Sequence, residues 1–294
     1  MVNFEENIEN QFEFNSHKNL FQDGILNSLK FSSETLNAIE NIHQLSNEAE
    51  VLLIDYLTHR AIQKFCNLNQ YYSFNKEAQQ TLRSIYQDLF HYLKSGQLPV
   101  ESIATNHYES IISWLQQTNP FAEQIYSSKG EELEAVTCSE YSPELQIQIL
   151  RLDLKQLVEP ILDIGCGVKG ELVRFLLEKG FVVIGFDRFV KDTPDLINAD
   201  WFEFSFEEQQ WGTIISNLGF TNHFMHHHLR NDGNFIGYAK RYMEILNALK
   251  PGGTFIYAPD LPFIEQYLDR EKFQITKHDV GQSEIKSVKV KRLY

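Results

Sequence analysis

The chain has 294 residues, 43% apolar and 22% charged, an ordinary globular composition with enough length for one or two domains and a real core. Its 40 acidic residues outnumber its 26 Lys and Arg, leaving a formal charge of −14. A surface that negative repels a phosphate backbone, so nucleic acid is disfavoured as a partner and a neutral or cationic small molecule or peptide is suited.

The opening MVNFEENIEN is acidic and lacks the basic and apolar segments of a standard secretory signal. No apolar run approaches the roughly 18 residues of a membrane span, so no membrane partner is expected. Cys66, Cys138 and Cys166 show no paired spacing, which points to reduced thiols and a cytoplasmic location.

Up to about residue 130 the pattern is helical. Ile54, Leu57, Ala61 and Phe65 share one helical face, as do Leu82, Ile85, Leu89 and Leu93. Asn75 is suited to cap a helix starting at Lys76, and Pro99 to open the next one. Segment 118–140 carries Pro, Gly, Ser and charge, and the junction between residues 1–130 and 131–294 is placed there.

Beyond residue 143 strands and helices alternate. A helix from Pro143 to about Leu154 leads to an apolar strand at Ile161–Ile164, then a glycine turn. A helix over Glu171–Lys179 stops at Gly180, and a second strand covers Val182–Phe186. Further strands are expected at Leu196–Ala199, Thr213–Ser216 and Thr254–Ala258. An amphipathic helix, with Ile236, Ala239, Met243, Leu246 and Leu249 on its apolar side, lies before the last of these. FQITKHDV and KSVKVKRL then read as two strands able to pair antiparallel. Such alternation predicts a mostly parallel sheet with helices on both faces.

Ile161-Leu-Asp-Ile-Gly-Cys-Gly-Val-Lys-Gly170 places GxGxxG between a strand and a helix, and Asp187 follows Gly167 by twenty residues at the next strand end. Glycines admit a tight turn and close approach to a ligand, and the acid can hold ribose hydroxyls. By itself this suits NAD as well as S-adenosylmethionine. Asp163, two residues before the first glycine, would face a pyrophosphate unfavourably but can anchor an amino-acid moiety. The unit also begins too late to leave a dehydrogenase's substrate domain, and Leu249-Lys-Pro-Gly-Gly-Thr-Phe-Ile closes a helix and opens a strand.

With ILDIGCG, the acid of VVIGFD, the Asn-Ala-Asp of 198–200, IISN and LKPGG in order, residues 143–294 resemble the class I S-adenosylmethionine-dependent methyltransferases. The resemblance covers about half the chain. It implies an α/β, Rossmann-like, doubly wound, seven-stranded sheet with an antiparallel last strand, preceded here by an all-helical N-terminal domain. It implies S-adenosyl-L-methionine as cofactor, with Asp163, Gly165 and Gly167 at its methionine end and Asp187 at the ribose. Asp200 would take the adenine amino group, with Trp201 beside the ring, Arg188 flanking the adenosine and Asn217 closing the cofactor site. Where the family often has Asp before the fourth strand, this chain has Gly212-Thr213.

The acceptor is expected beside Ser216–Phe224, where Phe220 and Tyr141 are the substrate-binding candidates and His223 the candidate general base, since imidazole titrates near neutrality. Asn217-Leu-Gly-Phe220 faintly resembles the (D/N)PPY signature but lacks both prolines. His226, His227 and His228 point about 100° apart on a helix and cannot share one ion, so no metal is assigned. The function expected is O- or N-methylation of a small molecule or short peptide, with residues 1–130 as a lid that selects the acceptor. The alternatives are a protein or RNA methyltransferase, or a silent fold used for binding or homodimerisation.

Overall fold

The computed structural model describes residues 4–127, 129–133, 141–281 and 285–294. Cys138 and residues 128 and 134–140 of the expected junction lie outside the described residues. The chain divides into two compact units, 1–138 and 139–294.

The first unit is helical: α1 (Phe4–Phe14), α2 (Ser33–Ile39), α3 (Asn47–Leu68), α4 (Lys76–Ser95), α5 (Val100–Thr118) and α6 (Pro120–Tyr126). Side-chain caps fix several starts. Ser46 accepts from Ala49 N at α3, and Asn75 accepts from Ala78 N at α4, the cap expected from sequence. Pro99 is the residue before α5 rather than inside its first turn. The presumed linker begins as a helix, α6, with Pro120 at its first position. The core includes an aromatic cluster in which Phe74 stacks on Trp114 at 4.7 Å and Tyr72 meets Phe121 at 5.6 Å. Trp114 Nε1 donates to Ala78 O at 2.9 Å, so the indole enters the core with its polar group satisfied.

The second unit runs α7 (Pro143–Leu150), β1 (Ile161–Ile164), α8 (Glu171–Glu178), β2 (Val183–Asp187), β3 (Leu196–Asn198) and β4 (Trp211–Asn217). It continues with α9 (Phe220–Leu229), α10 (Phe235–Asn247), β5 (Leu249–Ala258), α11 (Pro262–Glu265), β6 (Phe273–Asp279) and β7 (Lys286–Arg292). The seven strands form one sheet in the order β3-β2-β1-β4-β5-β7-β6. Strands β1 to β5 are mutually parallel, and β7 inserts antiparallel between β5 and β6. This is the Rossmann-like architecture expected, antiparallel last strand included.

Every residue of β4 is buried, as suits a strand covered on both faces. On one face Leu162, Ile164, Ile214 and Phe255 pack with α9 and α10 residues; on the other Ile161, Val183, Ile215 and Ile256 pack with α7 and α8 residues. A Cβ at Gly185 would stand 2.5 Å from Val173 Cγ2, so only glycine lets β2 approach α8 this closely. Between the pairs Trp211↔Leu249 and Thr213↔Thr254, β5 carries extra residues, the expected Pro-Gly-Gly turn, as an irregularity within the strand.

The apolar stripe of α10 differs from the expected one. Ile236 is 68% exposed, and Tyr238, Tyr242, Ile245 and Leu246 are buried. Tyr242 can lie inside because it finds a partner there: its hydroxyl lies 2.9 Å from that of Tyr257.

Candidate functional site

The carboxyl ends of β1, β2 and β4 lie along one edge of the sheet, the edge where open parallel sheets bind ligands. After β1 the chain turns through Gly165 (φ +71°) and Gly167 (φ +78°), left-handed conformations that a side chain would resist. Gly165 N and Cys166 N both donate to Phe186 O, at 2.9 and 3.2 Å, which ties the loop to the end of β2.

Asp163 is the unusual group here. It is 1% exposed, and its Oδ2 has no hydrogen-bond partner among the described residues. Burial first, and the like charge of Asp187 second, push its carboxyl up to about 7. The same surroundings push the Cys166 thiol up: burial, then Asp163, then Asp187.

Asp187 ends β2, where one oxygen accepts from Phe189 N at 3.0 Å. Arg188 sits over the Phe189 ring at 5.0 Å, and its charge reaches Asp200 and His223. Asp200 Oδ1 accepts from Phe202 N at 2.8 Å, so one carboxylate oxygen is held by its own turn. Burial raises Asp200, opposed by that N–H and by Arg188. The Trp201 indole meets the His223 ring edge-to-face at 4.7 Å and would lie 3.8 Å from a Cβ on Gly165. Asp163, Gly165, Gly167, Asp187, Arg188, Asp200 and Trp201 thus gather around one sheet edge.

Asn217 ends β4, buried, with Oδ1 lacking a hydrogen-bond partner among the described residues. The chain then passes through Leu218 at φ +59°, a strained setting for a bulky residue, and Leu218 N donates to Ala258 O at 2.9 Å. Thr221 Oγ1 donates to the same carbonyl at 2.6 Å, fastening α9 to the end of β5.

Two expectations for this segment need correction. Phe220 is fully buried, packed on Tyr238 at 5.6 Å and Phe224 at 6.0 Å; it belongs to the core and presents no free face to a substrate. His223 is 4% exposed, and burial first, then Arg188, His227 and His226, hold its imidazole well below the usual histidine range. That direction leads away from the near-neutral titration expected of a general base. Tyr141 is half-buried, and its carbonyl accepts from Gln146 Nε2 at 2.8 Å just before α7.

The three consecutive histidines have separate occupations. His226 Nε2 is 3.2 Å from Arg230 Nη1, His227 Nδ1 accepts from Asn234 N at 3.0 Å, and His228 stacks on Phe263 at 3.8 Å. No group of three metal-ligating side chains occurs among the described residues.

One network had no signal in the sequence. Glu265 is 2% exposed; its Oε1 accepts from Tyr257 and from Leu261 N, both at 2.7 Å, and its Oε2 pairs with Lys277 at 2.5 Å. Lys277 also pairs with Asp260 at 2.7 Å. The network braces the loop leaving β5, next to the Ala258 carbonyl that holds Leu218 and Thr221.

The sheet order and the glycine loop beside Asp163 and Asp187 define a Rossmann-like fold. No protein-family profile matches the chain, and no curated protein matches it in sequence. Among solved structures it is similar to the N-methyltransferase NodS from Bradyrhizobium japonicum in complex with S-adenosylhomocysteine, at 17% identity over 51% of this chain and 86% of that one, TM-score 0.37. It is also similar to the 1,6-didemethyltoxoflavin-N1-methyltransferase of Burkholderia thailandensis, at 18% identity over 53% of this chain and 79% of that one, TM-score 0.36. A SAM-dependent methyltransferase from Archaeoglobus fulgidus matches at 17% identity over 51% of this chain and 94% of that one, TM-score 0.36. Likenesses this distant carry neither a substrate nor a residue role.

Proposed function

We propose that residues 139–294 bind S-adenosyl-L-methionine and that the protein methylates a small molecule or short peptide on oxygen or nitrogen. The observation that carries this reading is Asp163: a buried carboxylate with an unpartnered oxygen, held close to a second acid, at the foot of a glycine loop. A cation there, such as a methionine ammonium, relieves both burial and repulsion, whereas a dinucleotide's pyrophosphate adds a third negative group. Asp163, Gly165 and Gly167 would hold the methionine end, Asp187 the ribose, and Asp200 and Trp201 the adenine. Asn217 Oδ1 would accept a donor from cofactor or acceptor.

When bound, the cofactor supplies a methyl group already activated by its sulfonium, and the protein's task is to orient the acceptor and exclude water. His223, held by burial below the usual histidine range, favours acceptors that need no strong base, a free amine or a carboxylate, over an unactivated hydroxyl. For the helical unit, the role carried forward from sequence is selection of the acceptor. No helix among the described residues is long and apolar enough to cross a membrane.

Calorimetry with S-adenosylmethionine, S-adenosylhomocysteine and NAD tests the reading. The first two should bind; NAD binding more tightly than both would overturn it.

A further inference from the structure

The helical unit is not packed solid. Faces of α1 to α5 surround a cavity of about 440 Å³, lined by residues between Asn7 and Ile111. Leu53 and Leu57 of α3, Leu89 of α4 and Phe12 of α1 point into it and are only half-buried, although each sits on an inward face. A helical bundle that closed on its own side chains would cover such residues fully. The size falls within the range of small-molecule pockets, and walls this apolar offer few partners for ordered water.

Several polar groups of the lining are engaged with one another. Lys18 Nζ donates to Asn15 Oδ1 and Ser28 O, Lys64 pairs with Glu9, and the Tyr108 hydroxyl accepts from Gln11 and Asn15. His107 is buried among them, and its Nδ1 has no hydrogen-bond partner among the described residues. Its ring lies between those of Tyr86 and Tyr108, at 5.3 and 5.4 Å. Burial pushes the imidazole down to about 4, so at neutral pH it offers an uncharged nitrogen that can accept a hydrogen bond.

We propose that this cavity is a binding site for an uncharged, mainly apolar small molecule that carries one hydroxyl or amine donor directed at His107. The lining supplies broad apolar contact and, at His107, a buried acceptor left unpartnered. Its cations are already tied to neighbouring oxygens, so an anionic head has no ready counter-charge. The inference concerns the helical unit alone and is independent of the methyltransferase reading.

Aminoanthracene, a neutral fluorescent aromatic with one amine donor, probes the site in the full-length protein. Saturable binding with a dissociation constant below about 100 μM is expected, and decanol should displace it far better than decanoate. Leu57→Trp, which narrows the cavity, should weaken the probe severalfold, and Leu89→Trp provides a second filled variant should the first fail to fold. His107→Phe should weaken aminoanthracene severalfold while leaving plain anthracene unchanged. Absence of saturable binding, binding unchanged in a folded filled variant, or equal displacement by decanoate would overturn the proposal. S-adenosylmethionine binding is measured in parallel: a protein that takes the probe but not the cofactor supports this site and refutes the other.

Discussion

Replacing Asp163 with Asn removes a buried charge while keeping the shape of the side chain, and its effects on stability and on cofactor affinity should have opposite signs. The Asp163 carboxyl is raised from an ordinary 3.8 to about 7 in the folded protein. A raised acid favours folding while it is protonated. Its penalty grows as pH climbs from the unfolded to the folded value and is complete above about 7. At about 1.4 kcal/mol per unit, linkage gives a penalty of roughly 1.5–2 kcal/mol at pH 5 and roughly 4 kcal/mol at pH 8, an upper bound that structural relaxation reduces. Asn carries no such penalty. Asp163→Asn should therefore gain about 2–3 kcal/mol of stability relative to the parent between pH 5 and pH 8.

Denaturant titrations at several pH values, resolved into the transitions of the two units, measure that difference. The Trp201 and Trp211 fluorescence reports on the unit that holds Asp163. The same variant should bind S-adenosylmethionine about tenfold or more weakly, because the amide cannot pair with an ammonium. Parallel stability profiles for parent and variant would show that Asp163 is not the strained anion described above. A variant that is both less stable at pH 8 and undiminished in binding would mark it as an ordinary structural residue.

Cofactor affinity should rise as pH climbs toward about 7 and then level off, with proton release measurable by calorimetry in buffers of different ionisation enthalpy; a flat profile contradicts ionisation of Asp163 on binding. Asp187→Ala should weaken binding by about 1–3 kcal/mol through lost charge-assisted hydrogen bonds. It should also lower the Asp163 pKa by removing a like charge, visible as a shift of the pH–stability profile. The His223 imidazole should show no NMR inflection between pH 5 and pH 8; one near 6.5 would restore it as a base poised for catalysis. Glu265→Ala should cost about 3–5 kcal/mol, the penalty of stripping a buried partner from Lys277, Tyr257 and Leu261 N, and denaturation measures it directly.

The parts of the fold that were legible are those with a strong local rule. The strand–glycine–helix passage from Ile161 to Glu178, the Asn75 cap and the two C-terminal strands each follow from spacing or turn chemistry that neighbours cannot override. The α10 face differs from the expected stripe because hydrophobicity ranks Ile236 above Tyr238 and Tyr242, while burial depends also on whether a hydroxyl finds a partner, for Tyr242 the hydroxyl of Tyr257 on β5. Glu265 was invisible for the same reason: its partners come from β5, the following loop and β6, and its four-residue helix has no period to read. The basicity of His223 depends on burial and on Arg188, neither of which spacing reveals. The helical cavity has no signature in any single helix, since each lining face looks like a normal core stripe.

Those failures share a cause with the site itself. Local pattern predicts well where every interaction favours the fold, and it predicts poorly where a group is held against its own preference by its surroundings. Asp163 is such a group: a chain selected only for stability would place Asn or an apolar residue on β1, where the carboxylate lies buried beside Asp187 with an oxygen unused. Retaining an acid there makes sense if a positive ligand group completes it. The gain on binding then includes relief of a penalty already present in the free protein. That arrangement would favour a ligand with a cationic group over neutral and anionic ones without any steric block, because a positive charge relieves both burial and repulsion.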